Sequence, residues 1–448
     1  MRRLIKRIVP KKTFQKIEPY GHLAEAMLMN ARHGFPARGL KVIGVTGTNG
    51  KTTTCFLIHR MLHEAGFKVG LMTTVAYGAG LDIKENKDHV TTPGPGAILS
   101  RIKQLRGQGI EWLVLEVTSH ALGQHRVWGL PFEIAVMTNI THEHLDYHGT
   151  FERYLAAKRQ LFTQTNRYPG LKTGIVNADD PNAKAFSSAT KTSITYGIGK
   201  GDLQAKKVKL TPKGVTYGLA VDRDNYDITC NLPGSFNVYN SLAAVGVGRA
   251  LGLSRERIEQ GIAALKGVEG RMTNISEGQD FSVIIDYAHT PDSFEKLFRD
   301  IKPVIKGRLL VMFGSAGRRD EAKRAVQGKL AGKYADEVVL TEEDDRDMDG
   351  QAILQDIAKG AEAAGKKQDK NLFLVHDRRE AIKFILKRAR KGDTVMLLGK
   401  GHEKDILRPG PKAAELRHLQ QDDTNPDRVK KVSWDEAAEA RKALRALR

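Results

Sequence analysis

The sequence predicts an α/β protein: a central domain built around a phosphate loop, a second doubly wound domain after it, and a small β insertion or flank between them. Three observations carry this expectation. The stretch Val42–Thr54, VIGVTGTNGKTTT, reads as a buried strand, a glycine turn and a helix start. Beyond residue 280, FSVIIDYAHTPDSF, RLLVMFGSAGRRD, DEVVLTEEDD, NLFLVHD and DTVMLLGKGHE each place a strand before a loop or helix, the Rossmann-like pattern of a parallel sheet covered on both faces. From Tyr196 to Leu232 the pattern shortens to alternating runs such as VTYGLAV and YDITC, read as small strands joined by turns.

The phosphate loop comes first because the rest of the chain serves it. Gly47 and Gly50 supply turn residues, and Cys55 to Ala65 follows with helical spacing. The backbone N–H groups of Gly47, Thr48, Asn49 and Gly50, together with the positive end of the helix, form an anion site. Lys51 reaches the outer phosphates, Thr52 holds Mg²⁺ and Thr53 continues the turn. The general phosphate-loop pattern wants glycine where this chain has Val45, so the P-loop-type motif is present in its shorter form, GTNGKT.

Upstream, MRRLIKRIVP sets Leu4, Ile5, Ile8 and Val9 on one helical face and Arg2, Arg3, Lys6 and Arg7 on the other. Two readings stay open for it, a helix docked on its own protein and a weak contact with an anionic membrane surface. Downstream, TTPGPG offers Thr91 and Thr92 before a helix, and EWLVLEVTSHALGQHR is a buried strand running into a polar loop with Glu116, Thr118, Gln124 and Arg126. A carboxylate at the carboxyl end of such a strand faces the ligand crevice, so Glu116 is a Mg²⁺ ligand candidate. In THEHLDYHG, clustered His142, His144 and His148 raise the question of zinc, but no cysteine or HExxH spacing accompanies them, and Mg²⁺ is the better fit. Lys158, in AAKRQLF, is by default a solvated helical lysine. Asn237 and Asn240 open an Ala-rich helix, facing a base or ribose or simply capping it. Arg271 closes the domain as a γ-phosphate candidate, and strand-end loops beyond it carry Asp286, His289, Arg319, Arg346 and Glu403. The charged tail from Asp427 to Arg448 reads as a terminal surface helix.

With 448 residues the chain exceeds one core, and 40% hydrophobic with 28% charged residues is ordinary for a globular enzyme. No apolar run approaches the ~20 residues of a membrane span, so no stable insertion is expected. Cys55 and Cys230 are too few for a disulfide framework, which fits a reducing cytoplasm. Of the net charge of +20, an excess of eight falls within Met1–Lys41, and aromatics do not interleave with basic clusters, so no nucleic-acid partner is expected.

GTNGKTT, TTPGPG, EVTSHALGQHR, NITHEHLDYHG, AAKRQLF, GSFNVYNSLAA, GRM, DYAHTPDS and GKGHE occur in that order, and the set resembles the Mur ligase family, most closely its MurE type. The resemblance covers about residues 40 to 410. It implies an ATP-dependent amide ligase acting through an acyl phosphate, with two Mg²⁺ sites and a muramyl-peptide precursor and a free amino acid as partners. By matching position, Lys51 holds the phosphates, Thr52 and Glu116 the first Mg²⁺, and His144 the second. Lys158 falls where the family carries a carbamylated lysine, which reverses its default reading. Thr91, Thr92, Thr118, Gln124 and Arg126 match contacts to the muramyl peptide. Asn237, Asn240, Arg271, Asp286 and His289 serve ATP and the closed state, and Arg319, Arg346, Gly399 and Glu403 the amino acid.

Two departures accompany the resemblance. Only residues 1–39, a short basic segment, precede the central ATP-binding domain at 40–270 and the C-terminal domain at 271–448, so the expected uridine-binding domain is largely missing. The DNPR pattern that accompanies meso-diaminopimelate is replaced by Glu343, Asp344, Asp345 and Arg346, which leaves L-lysine open as the amino acid. The expected reaction joins either amino acid to UDP-MurNAc-L-Ala-D-Glu, in a cytoplasmic monomer. The alternative is the same chemistry on another acid, such as a lipid-linked muramyl peptide or a folate-like substrate. A basic nucleic-acid-binding ATPase is a distant third.

Overall fold

The computed structural model of the chain describes residues 11–86, 91–141, 145–211, 213–222, 224–418 and 423–447. The Arg2–Val9 segment, His142, Glu143 and His144 lie outside the described residues. The chain divides into two units, one running to Lys266 and the other from Gly267, with Leu210–Lys213 and Leu232–Gly234 counted with the second.

In the first unit the strands are β1 (Lys41–Thr46), β2 (Val69–Met72), β3 (Ala76–Ala79), β4 (Asp82–Glu85), β5 (Trp112–Glu116), β6 (Phe132–Met137), β7 (Thr173–Asn177), β8 (Thr192–Gly197) and β9 (Leu203–Gln204). They form one sheet in the order β4-β3-β2-β5-β1-β6-β7-β8-β9. The phosphate-loop strand β1 lies between parallel β5 and β6, and Val42, Ile43 and Val45 are fully buried. Burial on both faces is why VIGV is a continuous apolar run rather than an alternating one. Strands β3 and β4 form an antiparallel hairpin at the sheet edge.

The β insertion starts later than the sequence indicates. Tyr196 belongs to β8 in the main sheet, buried, with its hydroxyl donating to the Met137 carbonyl on β6 at 2.9 Å. Only β10 (Lys206–Thr211), β11 (Gly214–Val221) and β12 (Asp224–Cys230) form the separate three-stranded sheet. Strand-type periodicity cannot distinguish a main-sheet strand from an insertion; a cross-strand hydrogen bond does.

Helix Lys51–Glu64 buries His59, whose Nε2 has no hydrogen-bond partner. Burial, with the nearby His63 charge, holds its imidazole down at about 4. Unfolded, it titrates near 6.5 and so binds more protons than the folded form between those values. Stability is therefore complete above about pH 6.5 and is lost as pH falls toward 4, with a slope of about 1.4 kcal/mol per pH unit. His59→Leu should flatten that slope in urea titrations at several pH values.

The second unit contains β13 (Thr273–Ile275), β14 (Ser282–Asp286), β15 (Leu309–Phe313), β16 (Glu337–Leu340), β17 (Leu372–Leu374) and β18 (Thr394–Leu398) in the order β13-β14-β18-β15-β16-β17. Strands β14 to β18 are parallel to their neighbours, and β13 pairs antiparallel at the edge. Asp286 is opposite Leu398 and Phe313 opposite Leu340, so the loops after these strands emerge at one edge.

The tail is a helix only in its second half, and that helix buries one face. Residues Asp405–Pro409 (β19) and Val429–Ser433 (β20) pair antiparallel, and helix Glu436–Arg445 follows. Trp434 and Glu436 are buried. Glu436 accepts two hydrogen bonds from the fully buried Arg378, at 2.8 and 2.7 Å, and one from Trp434 Nε1 at 2.7 Å. The charges that made the segment look solvent-facing include one half of a buried ion pair.

Candidate active site

The register of β1 against its neighbours sets the site. Val45 lies opposite Glu116 and Thr46 opposite Met137, so the turn after β1 leaves the sheet between the carboxyl ends of β5 and β6. Gly50 has a φ of 83° and caps the helix at Lys51, and a Cβ there would come within 2.4 Å of Asn240 Oδ1. Gly47 admits no side chain either, since its Cβ would meet Thr138 Oγ1 at 1.9 Å. Thr138 Oγ1 and Asn139 Nδ2 both donate to the Asn49 carbonyl, at 2.7 and 3.0 Å. The loop is thus braced from β6 while Lys51 Nζ donates back to the Thr48 carbonyl at 2.8 Å.

Glu116 is 2% exposed. Its Oε2 accepts from Thr52 Oγ1 at 2.9 Å and from Thr74 N and Oγ1, both at 3.0 Å, while Oε1 accepts no hydrogen bond among the described residues. A buried carboxylate with one oxygen tied and the other open, beside a threonine hydroxyl at the helix start, fits the oxygen-donor chemistry of Mg²⁺. Thr74 is a positioning residue that sequence reading missed. Its signal was the TT pair at the carboxyl end of β2.

Lys158 is buried in helix Phe151–Thr165, not solvated. Its Nζ donates to the Gly47 carbonyl at 2.6 Å and lies 4.8 Å from the centre of the Tyr154 ring. Tyr154, also unforeseen, shares a 2.9 Å hydrogen bond with Thr48 Oγ1. Asn240 Oδ1 accepts from Thr54 Oγ1 at 3.2 Å and its amide donates to Asn237 Oδ1 at 2.9 Å, so this pair packs against the start of the phosphate-loop helix.

The expected peptide contacts also gather at this edge. Thr92 Oγ1 donates to the Glu116 carbonyl at 3.1 Å and accepts from Thr118 N at 3.2 Å. Arg126 donates to the Thr92 carbonyl at 2.6 Å and, through two nitrogens, to Gln124 Oε1 at 3.0 and 2.7 Å. Thr91 is half-buried beside them, Thr53 is buried, and His144 lies outside the described residues.

In the second unit Asp286, at the end of β14, accepts from Met272 N and Ala288 N, both at 2.8 Å, and burial pushes its carboxyl up. Arg271 lies 4.6 Å over the Tyr287 ring, and His289 Nδ1 is 2.8 Å from the Tyr287 carbonyl. After β18, Gly399 has a φ of 98°, and Lys400 bridges Asp344 at 3.0 Å and Glu403 at 2.6 Å. Burial acts to raise the Glu403 carboxyl, but the Lys400 charge outweighs it and holds it below its ordinary value. Glu343 Oε2 is buried without a hydrogen-bond partner, near where a Gly399 Cβ would stand. Arg346, matched by resemblance to the amino-acid site, is turned inward: Nε donates to Asp423 at 3.1 Å and Nη1 to the Gly317 carbonyl at 2.9 Å, so its fork faces the protein. Arg319 is exposed.

Residues 45–248 match the model of the Mur ligase middle domain and residues 270–401 that of the Mur ligase glutamate ligase domain. This chain is a Mur ligase. It is 40% identical to the UDP-N-acetylmuramyl-tripeptide synthetase of Roseiflexus sp. (strain RS-1), covering 96% of this chain and 83% of the relative. It is 40% identical to the UDP-N-acetylmuramoyl-L-alanyl-D-glutamate--2,6-diaminopimelate ligase of Geobacillus thermodenitrificans (strain NG80-2), covering 86% and 79%. A solved structure of a ligase of the latter description superposes with a TM-score of 0.64 at 29% identity, covering 94% of this chain and 83% of that one. Like other Mur ligases, this one is an ATP-dependent amide ligase of the MurE type, consistent with a phosphate loop flanked by a carboxylate and a peptide-sized polar cluster.

Proposed function

We propose that this ligase adds a diamino acid, meso-diaminopimelate or L-lysine, to the free carboxylate of UDP-MurNAc-L-Ala-D-Glu. The observation that carries the reading is the sharing of one sheet edge by Lys51, Thr52, Glu116 and the Thr92–Thr118–Gln124–Arg126 cluster, which brings a γ-phosphate and a peptide carboxylate together. The substrate carboxylate attacks the γ-phosphorus, ADP leaves, and the amino group of the incoming amino acid then displaces phosphate from the acyl phosphate. Lys51 and the loop N–H groups neutralise the charge on the transferring phosphoryl group, where positioning and electrostatics do most of the work. Thr52 and Glu116 would hold one Mg²⁺, and His144 with a carbamylated Lys158 the second; such ions would supply charge neutralisation at the phosphoryl oxygens. Thr91 joins the peptide contacts. Asn237, Asn240, Arg271, Asp286 and His289 serve ATP.

Arg319, Gly399 and Glu403 serve the amino acid, while the inward-turned Arg346 does not reach it as a clamp. Glu343, whose buried Oε2 has no hydrogen-bond partner, suits the distal ammonium that both diamino acids carry. The test is phosphate release from Mg-ATP with UDP-MurNAc-L-Ala-D-Glu across a panel of amino acids. Release that requires both the nucleotide sugar and one diamino acid supports the reading and names the acceptor; silence across the panel overturns it.

A further inference from the structure

Three loops of the second unit meet at one side chain. Tyr287, just after β14, has the Arg271 guanidinium 4.6 Å over its ring, and the ring centres of His289 and His402 lie 4.6 and 4.9 Å from its own. Two glycines at positive φ allow this approach. A Cβ on Gly401, φ 50°, would stand 2.8 Å from the Tyr287 Cβ, and one on Gly270, φ 67°, would stand 2.2 Å from the His402 nitrogen. The Tyr287 hydroxyl donates to Glu403 Oε1 at 3.0 Å, while Lys400 Nζ donates to Oε2 at 2.6 Å. Burial, and after it the Glu403 charge, push the phenol well up, so the hydroxyl keeps its proton and donates at neutral pH. The Lys400 side chain is 1% exposed and that of Glu403 25%, so the carboxylate keeps an open side. An ionised carboxylate offers about four lone-pair sites, and those not taken by Tyr287 and Lys400 remain for a ligand donor.

We propose that Tyr287 is a positioning residue for capture of the incoming amino acid: its hydroxyl sets the plane in which the Glu403 carboxylate receives an ammonium group. This rests on the reading that places Glu403 in the amino-acid site. Lys400 is a point charge on a flexible stem, so it fixes one oxygen without fixing the plane of the carboxylate. The tyrosine hydroxyl sits on a ring held among Arg271, His289 and His402, and a second donor on the second oxygen removes the remaining rotation. Orientation of this kind acts on the group that Glu403 binds. Phosphoryl transfer to the peptide carboxylate comes before attack by the amine, so loss of the hydroxyl bears on amino-acid capture and not on the use of ATP.

The experiment is steady-state phosphate release by the full chain with Mg-ATP, UDP-MurNAc-L-Ala-D-Glu and either meso-diaminopimelate or L-lysine. Tyr287→Phe keeps the ring and its contacts and removes only the hydroxyl. It should raise the KM for the amino acid by about tenfold, the loss of one hydrogen bond to a charged group, while kcat and the KM for Mg-ATP stay parental. In a Glu403→Ala background, where Lys400 keeps Asp344 as its partner, Tyr287→Phe should add no further rise, because the hydroxyl acts through that carboxylate. An unchanged amino-acid KM in Tyr287→Phe overturns the proposal. So does a rise of equal size in both backgrounds, which would make the contact with substrate direct, or a rise in the KM for Mg-ATP instead, which would assign Tyr287 to the nucleotide. A parent silent with both amino acids overturns the underlying reading and this proposal with it, a result distinct from an active parent whose KM ignores the hydroxyl.

Discussion

Lys158→Ala is expected to lower the ligation rate by about 10³-fold, and added formate or acetate to restore part of it. The side chain is 2% exposed and lies between the Gly47 carbonyl and the Tyr154 ring, at the back of the phosphate loop. An ammonium there would repel a cation bound beside the phosphates. In the proposed carbamate form, the neutral amine would have reacted with CO₂ with release of a proton, and the same position would be an anion able to hold Mg²⁺. Alanine leaves a cavity that a small carboxylate can enter. The variant also loses the hydrogen bond to Gly47, so melting temperature must be recorded beside the rate; rescue by carboxylate is the readout that a structural role would not produce. Activity equal to the parent would refute the assignment, as would a lost activity that no carboxylate restores in a protein of parental melting temperature.

The second large effect concerns stability. Arg378→Leu should destabilise the second unit by about 3–5 kcal/mol, because it strands the Glu436 carboxylate in the interior. Arg378 also donates to the carbonyls of Glu342 and Leu398, at 3.0 and 2.8 Å, so the change frees two further buried acceptors. The melting transition of a unit this size should fall by roughly 10 °C. Arg378→Leu combined with Glu436→Leu should recover part of the loss, since replacing both partners removes the unpaired charge. A single variant that melts with the parent would show that the pair contributes nothing net, and a double variant worse than the single would show that Glu436 is held by other partners.

Much of the site was legible because its chemistry is local. A phosphate loop needs a strand, two glycines, a lysine and a threonine within about a dozen residues, and all of that is contiguous between Val42 and Thr54. Glu116 was legible from its place at the end of a buried run. What held it was not: Thr52 reaches it from the phosphate-loop helix and Thr74 from the turn after β2, and no spacing rule connects residues 52, 74 and 116. Lys158 shows the same limit more sharply. Helical periodicity by itself makes it an exposed lysine, and only the resemblance to a family reversed that reading, whereas the structure buries it against a loop 111 residues away.

The α/β class, the two doubly wound sheets and the nucleotide chemistry follow from the sequence by itself, because apolar run length, glycine placement and strand–helix alternation are dictated by backbone geometry over short distances. The start of the β insertion, the inward turn of Arg346 and the burial of Glu436 were decided only by tertiary structure. Each depends on a partner distant in sequence, Met137 for Tyr196, Asp423 for Arg346 and Arg378 for Glu436, and a charged or polar residue reads as solvent-exposed until that partner is in place.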